Sequence, residues 1–117
     1  MKILVVDDNI DFADTMKDLL ELRGHQTGVA YSGAEAVARA RSEEFDLILM
    51  DLVMPGKDGE VALQELRECE ITTPTMIMTA FSEEDHLNRA RRMGATYCFT
   101  KPIDFDKLEK AIAQIKT

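Results

Sequence analysis

The feature that most constrains this chain is the alternation of two hydrophobic periods. Short, nearly continuous apolar runs occur at 3–6, 47–50 and 76–78, a weaker one surrounds Val29 after Gly28, and another spans 97–99. A strand with water on one face alternates apolar and polar residues. A run that is apolar throughout needs cover on both faces, the condition of an inner strand in a parallel sheet.

Helical spacing fills the intervals. Phe12, Met16, Leu19 and Leu20 fall at i, i+4, i+7 and i+8, with Gly24 placed to end the segment. Ser32 and Glu35 form a capping box ahead of the small-residue stripe Ala36, Val37 and Ala40. A third helix follows Gly59 with Val61, Leu63 and Leu66. A fourth opens at Ser82 with Asp85, carries Leu87, Ala90 and Met93, and stops at Gly94. The last begins near Asp104 and presents Phe105, Leu108, Ile112 and Ile115. The order βαβαβαβαβα predicts an α/β fold with helices on both faces of a parallel sheet. Five such units match the smaller doubly wound order, 2-1-3-4-5, a flavodoxin-like (βα)5 three-layer sandwich. The 117 residues suit one domain spanning 1–117.

The bulk properties narrow the function. Acidic residues outnumber basic ones, 22 to 14, for a net charge of −8. Phosphate backbones repel such a chain, so direct nucleic-acid binding is not expected; cations and basic partner surfaces suit it better. The same charge also serves solubility alone. Cys69 and Cys98 form no CxxC or zinc spacing, as suits a reducing compartment. The first apolar run is stopped at once by Asp7, too short for a signal peptide or a membrane span. A cytoplasmic location and no membrane partner follow as expectations.

In doubly wound sheets, ligands bind beyond the carboxyl ends of the strands, where the strand order reverses. The first run ends in Asp7-Asp8, the third in Asp51, the fourth in Thr79 and the fifth in Thr100-Lys101. Taken singly, an Asp after a strand is a turn or cap residue, Thr79 a strand terminator and Lys101-Pro102 a turn. Together they place three carboxylates on one rim. Two like charges at ~5 Å repel by roughly 3 kcal/mol at an effective dielectric of ~20. Raised pKa values or a bound hard cation such as Mg²⁺ would relieve that, with Lys101 as the second compensating charge.

In these positions the sequence resembles the receiver domains of two-component response regulators, over nearly its full length. The matching pieces are Val5-Val6-Asp7-Asp8, the stretch from Leu49-Met50-Asp51 through Pro55-Gly56-Lys57-Asp58-Gly59, Met78-Thr79-Ala80, and Gly94-Ala95 up to Thr100-Lys101-Pro102. The resemblance implies that Asp51 accepts a phosphoryl group from the phosphohistidine of a sensor histidine kinase or histidine phosphotransfer protein. It implies that Asp8, Asp51 and the backbone carbonyl of Val53 hold Mg²⁺, or Mn²⁺ in its place, with Asp7 acting mainly through water. Lys101 and Thr79 would each meet a phosphoryl oxygen, and the Lys101-Pro102 peptide would be cis. The last two helices and the strand between them would form the surface for a partner, an output domain or a second copy.

Three positions depart from the commoner pattern. Cys98 stands where a switch aromatic is frequent, and Tyr97 should face the other side of the sheet. Val53 and Phe81, two residues after Asp51 and Thr79, are apolar where the family tunes phosphoryl lifetime. Val53 also argues against an aspartate-nucleophile phosphatase, which needs a second Asp there; the expected protein is a switch, not a turnover enzyme. No GxGxxG or GxxxxGK[ST] supports a nucleotide-binding module. A degenerate, phosphorylation-independent interaction module is the remaining alternative, and the intact set of Asp7, Asp8, Asp51, Thr79 and Lys101 disfavours it.

Overall fold

Apolar residues at every position of 3–6 and 47–50 leave no strand face for water, and the chain responds by covering both. The computed structural model describes residues 1–52, 54, 56, 59–79, 88, 91–92 and 94–115. Its elements are β1 (Lys2–Val6), α1 (Ile10–Leu22), β2 (Gln26–Ala30), α2 (Gly33–Ser42), β3 (Leu47–Asp51), α3 (Gly59–Glu68), β4 (Thr75–Thr79), β5 (Tyr97–Thr100) and α4 (Phe105–Ile115). All strand pairs are parallel, in the order β2-β1-β3-β4-β5. This is the predicted doubly wound order. The helix expected after Ser82 lies mostly outside the described residues, within which Asn88, Arg91 and Arg92 are helical.

Successive residues of each inner strand supply opposite faces. Leu4, Val6, Ile48, Met50 and Ile77 pack with Ala36, Val37, Ala62, Leu63 and Leu66 of α2 and α3. Ile3, Val5, Leu47, Leu49, Met76 and Met78 pack with Ala13, Met16, Leu20, Leu108, Ala111 and Ile112 of α1 and α4. Each fully buried Leu, Ile or Val side chain contributes roughly 1.5–3 kcal/mol relative to exposure.

The caps explain where the helices begin and end. Asn9 Oδ1 accepts from Phe12 N–H at 3.1 Å to open α1, and Gly24, with φ of +89°, follows its end. Ser32 Oγ accepts from Glu35 N–H at 3.1 Å, as expected of a capping box, but Glu35 Oε2 accepts from Tyr31 N–H rather than from Ser32. Two stripe residues differ from expectation. Leu19 and Val61 are 39% and 44% exposed. α1 docks through Ala13, Met16 and Leu20, leaving Leu19 on its flank, and Ala62 takes the inward place beside Leu63 and Leu66 while Val61 turns outward.

Candidate functional site

The sheet ladder runs one residue beyond its strands and so fixes the chain where the polar residues emerge. Asp7 N–H donates to Ala30 O at 3.1 Å, Leu52 N–H to Met78 O at 3.0 Å, and Lys101 N–H to Thr79 O at 2.7 Å. Val6 pairs with Met50 and Asp51 with Met78, which sets Asp7 beside Asp51. Thr79 pairs with Thr100, which delivers Lys101 to the same edge. The Lys101-Pro102 peptide is cis, as expected.

Carboxylate oxygens of Asp7, Asp8 and Asp51 lie within 4.8 Å of one another. Asp7 is wholly buried and Asp51 nearly so, whereas Asp8 faces solvent. A buried carboxylate must be paired. Asp7 meets that demand with both oxygens: Oδ1 accepts from Asn9 N–H at 2.9 Å and Oδ2 from Lys101 Nζ at 2.6 Å. The same ammonium stands 3.4 Å from Asp51 Oδ2. Burial would lower the Lys101 pKa, but the Asp7 hydrogen bond and the Asp51 and Asp7 charges together outweigh it and raise it above the ordinary value. Lys101 is therefore an ammonium at neutral pH.

Thr79 is completely buried at this edge and reaches Lys101 through its main-chain oxygen. Val53 and Phe81 lie outside the described residues. Tyr97 and Cys98 take opposite faces, as strand alternation predicts: Tyr97 packs on the α1/α4 side, Cys98 on the α2/α3 side. The Tyr97 hydroxyl donates to Gln114 Oε1 on α4, and its ring stacks on Phe99 with centroids 6.2 Å apart.

Two residues named in the sequence make contacts at the site that their spacing did not disclose. Phe12, counted only as a core residue, has its ring centroid 4.2 Å from Lys101 Nζ; its place in the first turn after Asp7-Asp8 was the available signal. Gly59 N–H donates to Leu52 O at 2.8 Å. A Cβ at Gly59 would collide with the main-chain oxygen of Asp51 and lie 2.8 Å from Leu52 Cα.

Residues 3–113 match the sequence profile of the response regulator receiver domain family. The chain belongs to that family. This receiver domain is 39% identical to the transcriptional regulatory protein ZraR of Salmonella typhimurium over 97% of its own length, but spans only 27% of that protein. It is 32% identical to sporulation initiation phosphotransferase F of Bacillus subtilis, covering 95% of the chain and 90% of that protein. The structure of the response regulator TrrA of Thermotoga maritima, in complex with Mg²⁺–BeF, superposes with a TM-score of 0.87 at 27% identity over 97% of each chain.

The acid cluster of the receiver domain fits a hard divalent cation. Its donors are all carboxylate oxygens, among the described residues three carboxyl groups gather around the Lys101 ammonium, and Asp8 is open to the waters such an ion retains. No helix among the described residues is long and apolar enough to cross a membrane.

Proposed function

We propose that this receiver domain is a Mg²⁺-dependent phosphorylation switch whose phosphoacceptor is Asp51. The observation that carries this reading is the convergence of Asp7, Asp8 and Asp51 at the carboxyl edge of the sheet, with one ammonium against two of them. The donor is the phosphohistidine of a sensor histidine kinase or histidine phosphotransfer protein. An Asp51 oxygen attacks in line; its bond to phosphorus forms as the bond between phosphorus and the imidazole nitrogen breaks. Lys101, already beside Asp51, pairs with a phosphoryl oxygen where negative charge accumulates. Thr79 hydrogen-bonds a second oxygen and passes the change to the loop after β4.

Asp8, Asp51 and the Val53 carbonyl are the proposed ligands for Mg²⁺ or Mn²⁺, with Asp7 acting through water and as the partner of Lys101. When bound, the cation neutralises charge on the acceptor and the phosphoryl oxygens. The Mg²⁺–BeF complex of the Thermotoga relative supports this reading. The product is a labile acyl phosphate, which suits a cytoplasmic signal better than a turnover enzyme. The groove lined by Tyr97, Phe99 and Ala111, with Lys107 and Lys110 beside it, supports partner binding through β5 and α4. That partner is an output domain, a separate protein or a second copy.

Acetyl phosphate with Mg²⁺ should add one phosphoryl group to the wild-type protein by intact mass, and none to Asp51→Asn or in the presence of EDTA. Equal labelling of Asp51→Asn would refute the assignment.

A further inference from the structure

A closed circuit of contacts surrounds the Lys101 ammonium. Asp7 Oδ1 accepts from Asn9 N–H at 2.9 Å, and Asn9 Oδ1 accepts from Phe12 N–H at 3.1 Å. The Phe12 ring stands 4.2 Å from Lys101 Nζ, which returns to Asp7 Oδ2 at 2.6 Å. The residue that caps α1 thus ties the acid to the turn that carries the ring.

A lysine ammonium is strongly hydrated and sits on a flexible four-carbon stem, so carboxylates alone do not keep it from turning to water. An aromatic face attracts the cation through its quadrupole and occupies space that water would fill. Here the Lys101 side chain is only 19% exposed, and Phe12 packs against the buried cluster of α1, α4 and the sheet. We propose that Phe12 is a positioning residue for phosphoryl transfer, its ring holding the Lys101 ammonium at the acid cluster for the phosphoryl group that arrives on Asp51. This role rests on Asp51 being the phosphoacceptor.

The comparison is between Phe12→Leu, which keeps an apolar helix-forming side chain without the ring, and Phe12→Tyr, which keeps the ring. With acetyl phosphate limiting, Asp51 gains a bond to phosphorus as the bond to the acetate oxygen breaks, and the labelling rate is followed by intact mass with Mg²⁺ present. Phe12→Leu should label about fivefold more slowly, equivalent to about 1 kcal/mol at 1.36 kcal/mol per tenfold. Phe12→Tyr should label within about twofold of wild type, a margin small beside the energy of a cation–π contact. The ε-methylene protons of Lys101 should be shifted upfield by the ring in wild type and Phe12→Tyr, and not in Phe12→Leu. Should Phe12→Leu fail to fold by circular dichroism, Phe12→Met carries the same comparison. A Leu variant as fast as wild type or faster, or Leu and Tyr variants slowed alike, overturns the role of Phe12. A wild-type protein that takes no label overturns the phosphoacceptor reading itself, and this role with it.

Discussion

Cys98 and Tyr97 illustrate what single residues disclose. Their opposite orientations follow from a two-residue period, so the sequence alone separates them. What Tyr97 then touches depends on how α4 docks, and its bond to Gln114 was not legible. The same holds at the site. The convergence of Asp7, Asp8, Asp51, Thr79 and Lys101 on one edge was legible because strands end where polar residues interrupt apolar runs; the distance from the Phe12 ring to Lys101 was not, because it depends on how the first turn of α1 sits over the Lys101 side chain. Cys98 also yields a residue-scale prediction. Burial pushes its thiol up, against a weaker opposite pull from Arg91, while Cys69 is exposed. The thiolate is the nucleophile, so limiting iodoacetamide at pH 8 should alkylate Cys69 well before Cys98, as peptide mapping would register. Equal or inverted labelling would contradict the packing of Cys98 against the α2/α3 face.

Elements were legible in kind and in order, less so in orientation. Helical spacing located α1 and α3, yet a periodic stripe is wider than the strip a helix buries, so Leu19 and Val61 were read as inward. The approach of α3 to β3 is set by Gly59, which leaves no room for a Cβ against Asp51 and Leu52. Gly59→Ala should therefore destabilise the fold by about 1–3 kcal/mol, the usual range for overpacking. It should also disturb the backbone at Asp51. Urea unfolding at constant m-value would measure the loss; a stability equal to wild type would show that α3 can shift freely.

At the scale of the whole molecule, strand order was legible because near-continuous apolar runs alternating with helices permit few topologies. That order brings Asp7, Asp51 and Lys101 to one edge from β1, β3 and β5. Three of the chain's 22 acidic residues meet there, Asp7, Asp8 and Asp51, with the Lys101 ammonium against two of them, and this gathering of carboxylates underlies the proposed need for a cation. The most direct measurement is the position of the acyl phosphate. The protein is treated with acetyl phosphate, with Mg²⁺ or with EDTA, and reduced with borohydride, which converts a phosphorylated aspartate to homoserine. It is then mapped by tandem mass spectrometry. The expected result is homoserine at position 51 alone, and only with Mg²⁺; homoserine at Asp7, Asp8 or elsewhere, or a yield unchanged by EDTA, would contradict the account.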